Sequence, residues 1–294
     1  MNLPPPHGSS FKQRLAVIGD PISHSLSPVL QNFLLAHFTL PFVYEAVHVS
    51  ASDLPRLVTR LRHGELAGVN VTLPHKQNII FLLDELIYPA DRIGAVNTVC
   101  VANGKLLGHN TDALGFQRSL ERARIAVRDE HVLLLGAGGA AKAIVFALLA
   151  AGAGVIHLSN RHAERAAQLR SGLSLEEQAR VRLVAWEERA RVLQAEEIAL
   201  AINATSAGMA AGSSPSPLPN HALRNARAAV DLIYNPVETL FLRQAKEAGA
   251  ATMNGLSMLV YQGAAALELW SGRKLEIEQV YARLEERLKH YICN

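Results

Sequence analysis

The fold of this 294-residue chain is set by the stretch Val132-Leu133-Leu134-Leu135-Gly136-Ala137-Gly138-Gly139-Ala140-Ala141. Four apolar residues run directly into the glycines, and helix-forming residues follow, so the order predicts a buried strand, a tight turn and a helix. The spacing matches the dinucleotide-binding pattern G-x-G-x-x-G/A, in which the second glycine lets the backbone approach a pyrophosphate. The helix N-terminus adds N–H groups that suit phosphates. The alternative is a structural turn without a ligand.

The rest of the chain places this turn within an α/β protein of two domains. Strands alternate with helices from 132 to about 252, which predicts a Rossmann-type, doubly wound parallel sheet. Two amphipathic helices come next, over 256–270 and 276–290, and we expect them to pack back onto the first half. The predicted organisation is a disordered lead-in at 1–13, a first α/β domain at 14–113 plus 253–294, and a dinucleotide-binding domain at 114–252.

The strand after the glycine-rich helix indicates which dinucleotide binds. It covers Val155 to Leu158 and ends in Ser159-Asn160-Arg161, with Arg165 one helical turn further. An NAD-binding unit places an acidic residue here to hold the ribose 2′-hydroxyl. A planar, always charged guanidinium instead suits a 2′-phosphate. The sequence therefore favours NADP, with an ordinary surface arginine as the alternative.

Three polar segments in the first half come after predicted strands. Ser25 and Ser27 precede a helix that begins near Pro28; Ser27 suits the N-cap, while the Ser25 hydroxyl is free to face a ligand. Asn70 and Thr72 share one face of a strand over 67–73, which leads to Lys76. The alternative for that strand is a solvent-facing edge with a surface lysine.

The third polar segment comes after a strand-like run over 93–101 and a hairpin turn at Asn103-Gly104. Asp112 then precedes an amphipathic helix, predicted over 113–123, where it serves either as an N-cap or as a ligand-binding carboxylate.

Composition excludes several classes of function. The formal net charge of +3 is too small to indicate a nucleic-acid partner. The longest apolar stretch, 143–151, is too short to cross a membrane. The two cysteines and twelve histidines form no metal-ligand pattern, so no metal is expected. We expect a cytoplasmic protein and leave monomer or homodimer open.

Eight motifs, in this order along the chain, resemble those of shikimate dehydrogenases. They are Ser25-Leu26-Ser27-Pro28, Asn70-Val71-Thr72-Leu73-Pro74-His75-Lys76, Gly94-Ala95-Val96-Asn97-Thr98, Asn110-Thr111-Asp112, Gly136-Ala137-Gly138-Gly139-Ala140, Asn160-Arg161, Asn203-Ala204-Thr205-Ser206 and Gly255-Leu256-Ser257-Met258-Leu259-Val260-Tyr261-Gln262. The resemblance covers nearly the whole chain from Arg14. It departs from common family residues at His75, His109 and Asn254, none of which removes a proposed catalytic or carboxylate-binding group.

The resemblance implies an NADP-dependent enzyme that reversibly reduces 3-dehydroshikimate to shikimate, a step of chorismate and aromatic amino acid biosynthesis. It implies that Lys76 is the acid/base and Asp112 its partner. The implied substrate contacts are Ser25 and Ser27 for the carboxylate, then Asn70, Thr72, Asn97, Asp112 and Gln262 for ring hydroxyls, with Tyr234 nearby. The implied cofactor contacts are Gly136, Ala137, Gly138, Gly139, Ala140, Asn160, Arg161, Arg165, Thr205, Ser206, Ile233, Gly255 and Met258.

The chemistry agrees with that division, because hydride addition to a ketone requires a proton donor beside the oxygen. Two alternatives are a quinate or dual quinate/shikimate dehydrogenase that uses NAD, and a non-catalytic sensor of shikimate-like ligands. Relatives of the first kind depart at the second serine and at the 2′-phosphate site, where this chain keeps Ser27 and Arg161. A sensor is expected to lack Lys76 or Asp112, and both are present.

Overall fold

The structure is a computed structural model that describes residues 12–195, 197–209, 216–219 and 222–293. Most of the predicted lead-in and part of a predicted Ser/Pro-rich loop at 212–219 lie outside these residues. The predicted lead-in extends too far, because Gln13 already pairs with Phe42 in the first sheet.

The first sheet has six strands in the order β2-β1-β3-β5-β6-β4. Its strands are β1 (Gln13–Gly19), β2 (Phe42–His48), β3 (Gly68–Val71), β4 (Glu85–Leu86), β5 (Thr98–Ala102) and β6 (Lys105–His109). Strands β2, β1 and β3 are parallel, whereas β5 is antiparallel to both of its neighbours. Because β3 lies between β1 and β5 and all four of its residues are buried, the alternative of a solvent-facing edge strand is wrong.

The second sheet is wholly parallel, in the order β12-β11-β10-β7-β8-β9. Its strands are β7 (His131–Leu135), β8 (Val155–Ser159), β9 (Val181–Val184), β10 (Ile198–Asn203), β11 (Ala228–Asp231) and β12 (Ala251–Met253). Counted from β7, this is the doubly wound order 3-2-1-4-5-6, whose order reverses at the first strand. The glycine turn directly succeeds β7, so it lies at that switch point, where ligands of such folds bind.

Eleven α-helices are present among the described residues. They are α1 (Ser27–His37), α2 (Leu54–Arg62), α3 (Ala90–Ile93), α4 (Asp112–Ala123), α5 (Gly139–Ala150), α6 (Ala163–Ser171), α7 (Leu175–Ala179), α8 (Arg189–Ala195), α9 (Leu240–Glu247), α10 (Leu256–Ser271) and α11 (Tyr281–Cys293). The two-domain α/β prediction is therefore confirmed.

The last two helices return to the first half, as predicted. Apolar residues of α10 and α11 share one core with β1, β2 and α1. Helix α10 also packs along α4, where a Cβ added to Gly115 would lie 2.8 Å from Gln262 Cβ. Glycine at this crossing thus allows the two helices to approach closely, and it brings Gln262 beside the start of α4.

Some predicted boundaries are wrong for local reasons. The run over 93–101 is not one strand, because Ile93 ends α3 and Gly94 succeeds it with φ +63°, so β5 begins only at Thr98. A helix predicted from Val237 to Glu247 begins only at Leu240, as α9, because the Thr239 side chain accepts a hydrogen bond from Leu242 N and caps it. Helix α11 also begins late, after a short 3₁₀ turn at Ile277–Gln279.

Candidate active site

A buried ion pair lies between the two sheets. Lys76 Nζ donates to Asp112 Oδ2 at 2.6 Å, with side chains 15% and 5% exposed. Lys76 belongs to the turn after β3, and Asp112 is the first residue of α4. Asp112 is not the helix cap, because Asn110 Oδ1 accepts from the backbone N–H groups of Asp112 and Ala113. The Asp112 carboxylate is therefore free to face the lysine.

The Asn97 amide holds the second oxygen of Asp112. Asn97 Nδ2 donates to Asp112 Oδ1 at 2.9 Å and to Thr111 Oγ1 at 2.9 Å, with Gln262 Oε1 at 3.3 Å. Asn97 Oδ1 accepts from Thr111 N and from the Thr98 hydroxyl. Because these bonds occupy the amide, Asn97 orients the carboxylate from within the protein.

Asn70 is oriented by a residue that the sequence patterns did not single out. The Tyr44 hydroxyl donates to Asn70 Oδ1 at 2.6 Å, while Asn70 Nδ2 donates to Asn97 O and Thr98 Oγ1. Both amide protons of Asn70 are thus used, and its oxygen retains one acceptor site. Burial raises the pKa of Tyr44 well above its ordinary value, so the phenol remains a donor.

The serine loop and Thr72 lie at the ends of neighbouring parallel strands. Ser25 Oγ accepts from Ser27 N at 3.2 Å, and the side chain of Ser27 makes no capping bond. The prediction of Ser27 as N-cap is therefore wrong, because Ser25 supplies the acceptor. Thr72 N donates to Ile18 O at 2.9 Å, which ties the end of β3 to β1.

A buried histidine anchors the turn that carries Lys76. His75 is 0% exposed, and its Nε2 lies 2.6 Å from Val49 O, so the ring nitrogen donates to that carbonyl. His75 N also donates to Thr72 O. These bonds fix the backbone on the N-terminal side of the lysine.

The conformation of the glycine turn fits the dinucleotide-binding pattern at each of its glycines. Gly136 has φ +113°, and a Cβ there would lie 2.7 Å from Ala204 O. Gly138 is exposed, and no heavy atom lies within 4 Å of its Cβ position, which leaves room for a phosphate against the backbone. A Cβ on Gly139 would lie 3.2 Å from Lys76 Cβ, so the lysine stem packs directly against this turn. Residues present here fit a bound dinucleotide.

The predicted 2′-phosphate residues come after β8. Arg161 and Arg165 are exposed, and neither has a carboxylate within ion-pair distance among the described residues. Asn160 Nδ2 donates to His162 O, which closes the loop between β8 and α6. One guanidinium group therefore lies in the loop after β8 and the other in the first turn of α6, and within the described parts of the chain no carboxylate pairs with either.

The remaining predicted cofactor residues surround the ends of β10 and β11. Thr205 packs near Gly136, with its Cγ2 3.3 Å from that glycine's Cβ position, and Ser206 beside it is exposed. Ile233 O accepts from Gly255 N at 3.1 Å. Met258 is 9% exposed and belongs to the core around β7 and α5.

Tyr234 faces the first half from the loop after β11. It packs against the core of α1 and α10, and burial raises the pKa of its phenol, with the Leu26 backbone as an opposing hydrogen-bond donor. Tyr234 thus lies against the loop that carries Ser25 and Ser27.

The structure therefore brings Lys76, Asp112, Asn97, Gln262 and the glycine turn together. It adds Tyr44, the anchoring role of His75 and a buried aspartate, Asp231. An acidic residue that ends an apolar strand, as Asp231 does, was a signal available in the sequence. Among the described residues, no cluster of histidine, cysteine, aspartate or glutamate could hold a metal ion. None of the described helices has the length and apolar character that crossing a membrane requires.

Comparison with known proteins finds one family along the chain. Residues 17–99 match the model of the shikimate dehydrogenase substrate binding domain. Residues 119–223 match the shikimate / quinate 5-dehydrogenase model, and residues 255–285 match the shikimate 5′-dehydrogenase C-terminal domain. The three matches stand in the order expected for a single enzyme of this kind.

Similar proteins cover the chain almost completely. A shikimate dehydrogenase (NADP(+)) of Moorella thermoacetica is 41% identical over 277 residues, which are 93% of each chain. That of Desulforamulus reducens is 40% identical over 262 residues, 88% of this chain and 90% of the relative. A crystal structure of shikimate 5-dehydrogenase from Thermus thermophilus in complex with NADP(H) and shikimate is 39% identical, with a TM-score of 0.82. It aligns with 95% of this chain and 99% of its own.

Proposed function

The chain belongs to the shikimate dehydrogenase family, and we propose how its residues share the NADP-dependent, reversible reduction of 3-dehydroshikimate to shikimate. One observation carries the proposal: Lys76 bonds the buried Asp112 carboxylate and packs against Gly139 of the cofactor turn. A single lysine thus joins the substrate half of the site to the cofactor half.

The proposed substrate site uses the serine loop for the carboxylate. Ser25 and Ser27 stand at the start of α1, where the helix dipole also favours an anion. The ring hydroxyls meet the open acceptor site of Asn70, the Thr72 hydroxyl and Gln262. Asp112 and Asn97 form the wall behind them, with Tyr234 closing the other side.

We assign the proton to Lys76. Its ammonium group has three N–H donors, and the bond to Asp112 uses one of them. In the reduction, the bound cofactor supplies the hydride to the ketone carbon, and Lys76 gives a proton to the oxygen. In the oxidation, neutral Lys76 takes that proton from the substrate hydroxyl. Asp112 holds the amine in place and stabilises its charged form.

The cofactor residues we propose act mainly through backbone and charge. The N–H groups that begin α5, beyond the open position at Gly138, face the pyrophosphate. Arg161 and Arg165 take the 2′-phosphate, and Asn160 shapes the loop that carries them. Thr205, Ser206, Ile233, Gly255 and Met258 are proposed to line the nicotinamide side.

The proposal predicts that Lys76→Ala lowers kcat by about 10²–10⁴-fold, the usual contribution of a general acid, because alanine removes the ammonium group to which we assign the proton. Steady-state oxidation of shikimate with NADP⁺ measures this, and fluorescence titration measures NADPH binding, which should stay near the wild-type affinity.

Lys105→Ala is the matched control, because Lys105 is 64% exposed and lies 3.8 Å from Glu85 on the surface of the hairpin. We expect wild-type kcat from this variant. Retention of near-normal turnover by Lys76→Ala would contradict the acid/base assignment.

Two further features are proposed on separate grounds. We propose a cytoplasmic location, because Cys293 is an exposed free thiol, which suits a reducing compartment. We propose that the enzyme is a monomer or a homodimer. Light scattering after gel filtration distinguishes these two states.

A further inference from the structure

Asp231, the last residue of β11, is fully buried and belongs to none of the groups that the proposed reaction uses. Its Oδ1 accepts from Asn203 Nδ2 and from Ile233 N, both at 3.0 Å. Its Oδ2 accepts from the Thr239 hydroxyl at 2.7 Å. One carboxylate therefore joins the end of β10 to both ends of the loop after β11.

The network continues into the loop after β10. Asn203 Oδ1 accepts from Thr205 N at 3.0 Å and from its hydroxyl at 2.6 Å, while Asn203 Nδ2 also donates to Ala207 O at 3.0 Å. Thr205 Oγ1 accepts from Ala207 N. The conformation of 203–207 is thus set by an amide that Asp231 holds.

The two loops also pack against each other. A Cβ on Gly208 would lie 3.5 Å from Thr239 Cβ and 3.6 Å from Ile233 Cδ1. These loops carry Thr205, Ser206 and Ile233, the residues proposed to line the nicotinamide.

Burial of the Asp231 carboxyl costs free energy of desolvation, so its hydrogen bonds are not an incidental feature of the fold. Desolvation raises the pKa of the carboxyl to about 6, against lowering by its three hydrogen bonds, and no charged side chain contributes. A buried carboxylate that lowers the stability of the fold in this way is expected to have a functional role.

We infer that Asp231 is a positioning residue, which fixes the loops at 203–209 and 231–239 so that the nicotinamide is aimed at the substrate ketone. The inference rests on the proposed function, since the cofactor residues on these loops are part of it. Asp231 itself contacts neither substrate nor cofactor and acts through Asn203, Thr205 and Ile233.

The test compares Asp231→Ala with Asp231→Asn. Alanine leaves three buried donors without an acceptor. Asparagine can keep its amide oxygen at the Oδ1 position for Asn203 and Ile233, and its NH₂ can donate to the Thr239 hydroxyl, which accepts as well as donates. We expect Asp231→Ala to lower kcat/KM for NADPH on the order of 100-fold, the scale of a small misplacement of reacting groups. Asp231→Asn should stay within a few-fold of wild type.

A ligand that lacks the nicotinamide separates positioning from general damage to the domain. Adenosine 2′,5′-bisphosphate is the adenosine half of NADP, and calorimetry measures its binding to each variant. Asp231→Ala should bind it with wild-type affinity while its turnover falls. Parallel loss of both would show a merely structural role and overturn the inference, as would wild-type kcat/KM in Asp231→Ala.

If Asp231→Ala does not fold, Thr239→Val provides a related test. It removes one donor to the carboxylate, together with the cap of α9, while preserving side-chain shape. It should lower kcat/KM for NADPH with unchanged binding of the bisphosphate; unchanged kcat/KM would overturn the inference. Inactivity of the wild-type enzyme on shikimate with NADP⁺ would instead refute the proposed function, so the two failures are distinguishable.

Discussion

Asp112, which begins α4, and Asp231, which ends β11, are both buried carboxylates, but the groups that face them differ. Asp112, in the substrate half, accepts from the Lys76 ammonium and the Asn97 amide. Asp231, in the cofactor half, accepts from neutral groups alone among the described residues, and one of them is a hydroxyl that can also accept. The carboxylate proposed to take part in the chemistry thus has a charged donor, whereas the carboxylate proposed to position loops has neutral donors.

The two halves of the site also differ in how far they are formed in advance. In the substrate half, Asn70, Asn97 and Asp112 are buried and hydrogen-bonded to neighbouring protein groups, so their geometry exists before substrate binds. At the outer end of the cofactor half, Gly138 is open and Arg161 is exposed. We therefore expect substitutions in the substrate half to lower kcat and those at the outer cofactor site to raise KM.

Among substitutions that compare the two carboxylates, the largest effect is expected from Asp112→Asn, the isosteric change that breaks the charged pair. Either orientation of the new amide turns its NH₂ toward a donor, Lys76 or Asn97, so one hydrogen bond is lost in addition to the charge. Steady-state kinetics should show kcat reduced on the order of 10²-fold or more, because the acid/base group loses its orientation.

The same substitution at Asp231 is the matched control for that prediction, since it tests whether any buried carboxylate responds alike. Equal losses of kcat in Asp112→Asn and Asp231→Asn would erase the distinction between the two sites.

A smaller effect is expected from Arg161→Asp, which reverses the charge at the proposed 2′-phosphate site. A hydrogen bond to a charged group contributes about 1.5–3 kcal/mol, so the dissociation constant of NADPH should rise roughly 10- to 100-fold. That of NADH, which lacks the phosphate, should change little. Calorimetric titration of both cofactors measures the difference.

Arg283→Asp, the same charge reversal at an exposed position on α11, is the control and should leave both dissociation constants unchanged. If Arg161→Asp weakened NADH and NADPH equally, the 2′-phosphate role would be wrong.

The smallest effect concerns stability and pH. The pKa of Asp231 is about 6 in the folded protein, against 3.8 ordinarily, so the fold binds this proton more tightly than the unfolded chain. The contribution of the carboxyl to stability is therefore greatest below pH 3.8 and is lost as the pH rises through about 6. Asp231→Asn removes that dependence. The free energy of unfolding of the variant minus that of wild type should therefore increase as the pH rises from about 4 to about 7.

The upper limit of this gain is about 3 kcal/mol, from a pKa difference of about two. Urea denaturation at several pH values measures it. A difference between variant and wild type that is independent of pH would contradict the raised pKa.

Features that depend on local pattern and on strand order could be predicted from the sequence. The glycine turn after β7 and the hairpin at Asn103-Gly104 depend on neighbouring residues only, and both are present. Family motifs placed Lys76 and Asp112 in one site although 36 positions separate them.

Contacts between residues that lie far apart in the sequence could not be predicted from local pattern. Tyr44 has the pattern of an ordinary strand residue, yet its hydroxyl reaches Asn70 from β2, across β1, which lies between β2 and β3. Thr239 has the character of a loop residue, and its two roles, capping α9 and binding Asp231, depend on where the chain returns. The start of β5 is not evident in the sequence, because an apolar run around Gly94 does not reveal the positive φ that ends α3.

We propose that a shikimate site faces an NADP site, and the most direct test is to measure kcat/KM of the unaltered enzyme. It is measured for shikimate and for quinate, each with NADP⁺ and with NAD⁺. The four values separate the substrate half of the site from the cofactor half. We expect the highest value for shikimate with NADP⁺, with NAD⁺ lower by roughly 10-fold or more because Arg161 then lacks its phosphate. A higher value for quinate with NAD⁺ would refute the assignment of both halves.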